Sequence, residues 1–316
     1  MNLKTKISSK FKFLGYKILQ GFQWALSDRQ YLKILFRIKM GKPLHLDPPV
    51  TFNEKLQWLK LYNRRDEFTR MVDKAAAKEV AASRIGKEYI IPTFAVWDSV
   101  DEIDFDALPD RFVLKTTHGG GGQGLVICRD KSTLNINEAR KNLNYSLRKG
   151  DSYKWLKEWP YKNVPRKIIA EELLDDGSGH RIDDYKFNCF NGRAENVMVC
   201  FGRGTGHTKF YFFDRDWNLL RINKMGEAAP EGFTLPKPEN IDLMFDLADK
   251  LSAGIPYLRV DLYNINGHPY FGEMTFFPAS GFDPNYSEAT DLDFGEKIDL
   301  NSSKKNNVNN YEGDAI

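Results

Sequence analysis

The spacing of apolar residues changes character several times along the chain. In TFNEKLQWLKLYNRRDEFTRMVDKAAAKEVAASRIG, which starts at Thr51, residues Leu56, Leu59, Val72, Ala76 and Val80 recur at helical intervals and predict two helices. Thr51 and Glu54 stand in a capping-box arrangement, and Gly86 is a natural stop. IIPTFAVWDS (90–99) predicts a short strand, and FVLKT (112–116) and LVICRD (125–130) predict two more. NEARKNLNYSLRK predicts a helix from Asn137, its cap, to Lys149, ended by Gly150. KIIAEELL (167–174) reads as a strand. YKFNCF, Asn191-Gly192 and the apolar run through Cys200 form a hairpin pattern, which FYFFDRDWNLLRI extends. Met244, Leu247 and Leu251 stripe a helix from Pro238 to Leu251, with Gly254 as its stop. LRVDLYNINGHPYFGEMTFF, from Leu258, is a second hairpin, and the closing NSSKKNNVNNYEGDAI has the composition of a disordered tail.

Composition narrows the class. With 316 residues, 41% of them hydrophobic and 28% charged, the chain can build a substantial core over two or three subdomains. No run approaches the ~18 apolar residues of a membrane span. Lys12 and Lys17 interrupt the apolar stretch that a secretory signal would need. Cys128, Cys189 and Cys200 are far apart and lack metal-ligand spacing, which predicts reduced thiols in a cytoplasmic protein.

Charge is unevenly placed. Residues 1–40 carry nine Lys or Arg against the single acid Asp28, although the whole chain is only +3. Phe11, Phe13, Tyr16, Phe22 and Trp24 sit among these charges. Two readings stay open: an interfacial helix drawn to anionic lipid on the inner face of a membrane, or a helical extension packing its apolar stripe on the body. No recognisable binding module accompanies the basic cluster, so nucleic acid is not expected.

The stretch KTTHGGGGQGLVIC, Lys115 to Cys128, matches the spacing G-x-G-x-x-G at Gly119, Gly121 and Gly124. A dinucleotide fingerprint needs a helix after its glycines, and here a strand-like run follows. A phosphate loop needs G-K-[S/T], which is missing. A glycine flap between antiparallel strands fits instead. Its bare backbone N–H groups can close over phosphates, with the Lys115 ammonium beside them. An unliganded surface loop is the alternative, but so many glycines are costly to order without a ligand.

The second chemical signal is Arg259-Val260-Asp261 followed by Glu273-Met274-Thr275. Alternation puts Arg259 with Asp261 on one face and Glu273 with Thr275 on one face. A two-residue Asn266-Gly267 turn would oppose Glu273 to Val260 and separate the pairs. A three-residue loop, 265–267, would oppose Glu273 to Arg259 and is the expectation here. It brings Asp261 and Glu273 close enough to hold Mg²⁺ through oxygen ligands. Their apolar flanks argue against a solvated ion pair on a hairpin surface.

These features together resemble the ATP-grasp superfamily, and more narrowly the TupA-like ATP-grasp family of bacterial cell-surface polysaccharide loci. The stretches that carry the resemblance are FNEKLQWLKLYNRR, FVLKTTHGGGG, EWPYKN, IIAEELL, DDYKFNCFNG and RVDLYNINGHPYFGEMTFFPASGF, spread over residues 50–282. The resemblance implies an α+β fold in which two lobes with antiparallel sheets clasp a nucleotide. It divides the chain into a basic extension (1–49), a helical subdomain (50–110), a lobe with the glycine flap (111–170), a lobe with the metal hairpin (171–283) and a polar tail (284–316).

By the same resemblance, ATP is the cofactor. Lys74, Lys115 and Gly119, Gly120, Gly121 and Gly122 would bind its phosphates. Glu171, Glu172, Leu173 and Leu174 would form the adenine hinge, with Asp184 and Lys186 near the ribose. Asp261, Glu273 and Thr275 would be the Mg²⁺ ligands, with Thr275 where relatives have Asn, so that one or two ions stay open. Arg259 and Lys115 would stabilise the transferring phosphoryl group. The implied activity is an ATP-dependent carboxylate–amine ligase, acting through an acylphosphate to join an amino acid or amine to a uronic-acid-type glycan. A glycosyltransferase or phosphotransferase of the same polysaccharides, and a non-catalytic nucleotide-binding scaffold at the membrane, are the alternatives. Arg203, His207 and Lys209 have the charge to bind an acidic sugar. Trp155, Trp159 and Tyr161 read as core aromatics rather than a sugar platform.

Overall fold

The computed structural model describes residues 13–120, 122–149, 152–177, 182–202 and 206–301. Gly121, Gly150, Arg203, residues 1–12 and 302–316 lie outside the described residues. The helices used below are α1 (Asp28–Met40), α2 (Phe52–Tyr62), α3 (Glu67–Val72), α4 (Ala76–Ile85), α5 (Ile136–Arg148), α6 (Ile241–Ser252) and α7 (Glu288–Lys297). The strands are β1 (Thr93–Trp97), β2 (Phe112–Thr116), β3 (Leu125–Cys128), β4 (Ile168–Glu172), β5 (Asp184–Phe190), β6 (Arg193–Phe201), β7 (Lys209–Phe213), β8 (Leu219–Leu220), β9 (Tyr257–Ile265) and β10 (His268–Thr275).

The chain divides into two compact units. One comprises residues 1–64, 152–159 and 277–316, and the other 65–151 and 160–276. This division cuts across the expected boundaries at 49/50 and 110/111, because α1 and α2 share a core with the segments at 152–159 and 277–301. Tyr31, Leu32, Leu35 and Phe36 of α1 are buried with Leu61 and Phe282. α1 therefore packs its apolar stripe inward.

The polar tail expected from residue 284 begins instead with an ordered helix. Ser287 caps α7, and Phe294 is buried edge-on against Phe52, with ring centroids 5.6 Å apart. Asp291 Oδ1 accepts from Asn53 N and Nδ2, each at 2.9 Å, fixing α2 to α7. No regular apolar stripe runs along α7, so its composition reads as part of a polar tail. The two helices expected over 51–86 are three, because Asn63 to Asp66 break the run and Asp73 opens a turn before α4. α5 is capped by Asn135 rather than Asn137, through a 3.0 Å bond from Glu138 N.

The second unit holds both sheets. One is four-stranded in the order β1-β4-β2-β3, the other six-stranded in the order β10-β9-β5-β6-β7-β8, and neighbouring strands in both run antiparallel. Each sheet has one apolar face and one working face, because side chains alternate along a strand. In the smaller sheet Phe112, Leu114 and Ala170 pack with Leu143 of α5, which leaves Val113, Lys115, Leu125 and Glu171 for the opposite face. In the larger sheet Phe187 packs edge-on against Phe245 of α6, 4.9 Å between centroids, and Val260 is buried opposite Phe187. The odd-even alternation then sends Asp184, Lys186, Arg259 and Asp261 to the other face.

Candidate functional site

The working faces of the two sheets line one cavity within the second unit. Lys74, Lys115, Gly119, Lys186, Asp261 and Glu273 all border it. An adjoining slot has an apolar lining that includes Ile91, Val113, Leu173 and Leu174, with Lys115, Arg129, Glu171 and Glu172 among its polar residues.

Glu171 is the anchor of the smaller sheet's half. Its carboxylate is 3% exposed and bridges Lys78, at 2.8 Å, and Lys115. Burial pushes the Glu171 carboxyl up, but the two ammonium groups outweigh burial and hold it below the ordinary carboxylate range. Glu171 therefore holds Lys115 in place at the edge of the slot, beside Glu172 and Leu173–Leu174. Lys78 was missed in the sequence, although it lies four residues after Lys74, a spacing that places neighbours along a helix.

The flap from Thr117 to Gly124 is tied at its base. Thr116 Oγ1 and Ser146 Oγ are 2.8 Å apart, and Thr116 N donates to Gly124 O at 3.2 Å. His118 Nε2 lies 3.2 Å from Ser146 O and 3.1 Å from Lys149 O at the end of α5, and burial pushes its imidazole below the usual pKa. Gly124 has φ +67°, and a Cβ there would collide with Ser146. Lys74 donates to Gly119 O at the other side of the flap, and burial lowers its pKa despite Glu273 nearby. Gly120 and Gly122 border the cavity. The close approach of flap to α5, rather than loop freedom, is what demands glycine here.

The second hairpin differs from expectation in its turn and in its register. The turn is the strict two-residue Asn266-Gly267, with φ +51° and +83°, pairing Ile265 with His268. The three-residue loop 265–267 is not used. A bulge between Phe271 and Glu273 shifts the register, so Glu273 opposes Asp261 and Thr275 opposes Arg259. Isolated Gly272 inside a strand was the available sign of it.

Arg259 and Lys186 surround Asp261. Arg259 Nε and Nη2 donate to Oδ1 and Oδ2 of Asp261 at 2.6 and 2.8 Å, and Lys186 also donates to Asp261. Arg259 Nη2 reaches Glu273 Oε1 and Thr275 Oγ1 at 3.1 Å each. Burial pushes Asp261 up and Lys186 down, and in both cases the ion pair wins: Asp261 stays below, and Lys186 above, its ordinary value. Lys186 is also 3.6 Å from Asp184.

The oxygen donors beside the cavity are of the type that suits a hard divalent cation. Asp261 and Glu273 border the cavity, and the Thr275 hydroxyl lies 3.4 Å from Glu273 Oε1. Among the described residues no group of three or more His, Cys, Asp or Glu is gathered as a metal cage.

Residues 54–299 match the family described as TupA-like ATPgrasp. The chain belongs to the TupA-like ATP-grasp family. Its fold is thus ATP-grasp, a mixed α+β architecture with two antiparallel sheets. No curated protein matches the sequence. Among solved structures the chain is similar to the D-alanine–D-alanine ligase of Bacillus anthracis complexed with ATP, at 15% identity over 82% of this chain and 71% of that one, TM-score 0.44. It is similar to the Helicobacter pylori D-alanine–D-alanine ligase at 13% identity, 78% and 69% coverage, TM-score 0.42. A third is the N5-carboxyaminoimidazole synthetase of Staphylococcus aureus complexed with ADP, at 15% identity, 70% and 50% coverage, TM-score 0.42.

Of the residues that sequence reading put in this ATP-grasp site, Lys74, Lys115, Gly119, Gly120, Gly122, Asp184, Lys186, Asp261 and Glu273 border the cavity. Glu171, Glu172, Leu173 and Leu174 border the apolar slot, which also takes Lys115. Arg259 and Thr275 reach the cavity's carboxylates through their hydrogen bonds. His207 and Lys209 are exposed and are not among the described residues lining the cavity or the slot, and Lys209 instead opens β7 opposite Phe201. Trp159 is paired edge-on with Tyr153, 6.1 Å between centroids.

Proposed function

We propose that the protein is an ATP-dependent carboxylate–amine ligase. The observation that carries this reading is the convergence of Lys74, Lys115 and the glycine amides with Asp261, Glu273 and Lys186 on one cavity beside an apolar slot. In this reading the base occupies the slot, reading the backbone at Leu173–Leu174, and the phosphates lie under the flap. Lys115, Lys74 and the flap amides bind the phosphate oxygens, and Arg259 stabilises charge on the transferring group. Asp261 and Glu273, with Thr275, would hold Mg²⁺, which supplies neutralisation of phosphate charge.

A substrate carboxylate oxygen attacks the γ-phosphorus, and the bond to ADP breaks, leaving an acylphosphate. An amine nitrogen then attacks the acyl carbon, loses a proton and expels phosphate to give an amide. The flap closes over the acylphosphate and keeps water from it. In this reading the carboxylate belongs to an acidic, uronic-acid-type glycan of the cell surface and the amine to an amino acid or small amine. The protein acts in the cytoplasm, with its basic residues 1–40 against the inner face of the membrane.

The test is ADP release with matched carboxylate and amine pairs, beside Lys115→Ala and Glu273→Gln. The expected result is ADP and phosphate release that needs both substrates and fails in both variants. Stable phosphorylated sugar from one substrate would assign a phosphotransferase. Consumption of a nucleotide sugar without ATP would assign a glycosyltransferase, and ATP binding without turnover a scaffold.

A further inference from the structure

Helix α1 buries its apolar stripe, but the helical stretch just before it does the reverse. Over residues 13–21, Leu19 is buried, while Phe13, Leu14 and Ile18 are 63%, 56% and 53% exposed. Phe22 and Trp24, which follow, are 61% and 83% exposed. In helical projection 14, 18 and 22 share a line, and 13 and 17 lie beside it. One face thus packs through Leu19, and the opposite face presents large apolar side chains to solvent.

Lys17 stands over the Phe13 ring, 5.6 Å from its centroid, so its ammonium rims the apolar face. Residues 1–27 contain Lys4, Lys6, Lys10, Lys12 and Lys17 and no acidic residue. An apolar face rimmed by ammonium groups matches an interface where acyl chains meet anionic headgroups. Exposed Trp and Phe suit the same boundary layer. Each lysine near such a surface adds roughly 1 kcal/mol of attraction, screened by salt. Among the described residues no helix is long and apolar enough to cross a membrane.

We infer that residues 13–24 form an in-plane anchor for an anionic lipid surface, with Phe13, Leu14, Ile18, Phe22 and Trp24 inserted at the headgroup boundary. The inference rests on the membrane part of the proposed function and not on the ligation chemistry, so the experiment reads lipid binding without ATP. Phe13, Phe22 and Trp24 are replaced together by Ser, which disturbs no buried position.

The full chain is sedimented with vesicles of phosphatidylcholine alone or mixed with phosphatidylglycerol, at low and high salt. The expected result is partitioning onto the anionic vesicles only, reduced by salt and lowered about tenfold or more by the triple substitution. Brominated lipid should quench the protein's fluorescence more in the unaltered chain than in Trp24→Phe. Equal binding to neutral vesicles, no binding, or binding unchanged by the substitutions overturns the anchor. A lipid-free dimer that dissociates on the triple substitution also overturns it, by assigning the face to a second copy. ADP release in lipid-free solution, measured separately, belongs to the ligase reading and moves independently.

Discussion

Glu273 stands directly across the strand pair from Asp261, and Gly272 makes that pairing, because the chain there bulges by one residue. A Cβ on Gly272 would lie 2.9 Å from Asp261 O and 3.2 Å from the Tyr263 ring. Without the bulge, the Asn266-Gly267 turn would leave Glu273 facing the α6 side of the sheet. One glycine thus decides whether the carboxylates meet.

Gly272→Ala should therefore lose stability by about 1–3 kcal/mol through crowding. It should also weaken ATP binding, since Glu273 and Thr275 share the shifted register. Denaturant unfolding and nucleotide titration check this. An unaltered midpoint together with unaltered affinity would show that the bulge has no such role.

Glu171→Gln removes the buried carboxylate between Lys78 and Lys115 and leaves both ammonium groups without their counter-charge. At pH 7 the expected loss is about 3–5 kcal/mol, as for breaking a buried pair. The pH sign follows from the direction of the shift. The folded-state pKa of Glu171 lies below its ordinary 4.5, so its stabilisation is fully present above that value. It fades as pH falls through the lower folded-state pKa. The stability gap between the two proteins should hold near neutrality and narrow below pH 4.5; a gap that widens in acid contradicts the assignment.

Lys186 and Arg259 together hold both oxygens of Asp261. A cation arriving at Asp261 must displace or share with Lys186. Lys186→Met should raise the affinity of the nucleotide-free protein for Mn²⁺ by about tenfold or more, because a nearby positive charge disappears. Calorimetry or the spin-resonance signal of free Mn²⁺ reads this without turnover. Unchanged or weaker binding would place the metal away from Asp261.

Gly124→Ala tests the flap. Its positive φ and its contact with Ser146 both resist a side chain. The expected result is a KM for ATP raised about tenfold, in line with 1–3 kcal/mol of local backbone strain. Ser146→Gly in the same chain should recover the part due to crowding but not the part due to φ. Full recovery would mean that backbone strain contributes nothing.

Much of the site was legible because its residues sit in short motifs whose chemistry is local. Lys115 before the glycines, the R-x-D of β9 and the E-x-T of β10 each declare themselves by residue type and alternation. The strand after the glycines excluded the dinucleotide motif for the same reason. Less legible were the partners that reach across the chain. Lys78 joins Glu171 from 93 residues away in sequence, and Ser146 ties down a flap that ends 22 residues earlier. Helix α7 escaped notice because its burial, through Phe294 and Asp291 against α2, creates no regular apolar stripe.

The amino-acid sequence by itself determined the alternation of strands, the type of each charged group and the family to which the chain belongs. These follow from nearest-neighbour periodicity and side-chain chemistry, which need no knowledge of distant contacts. Tertiary structure decided the register of the second hairpin, the contrast over residues 13–40 between an inward-packed α1 and a preceding stretch with an exposed apolar face, and the division into units that join α2 to α7. Those depend on where a backbone carbonyl can accept a Cβ-free neighbour and on which apolar faces find partners, and both are settled only when remote segments pack.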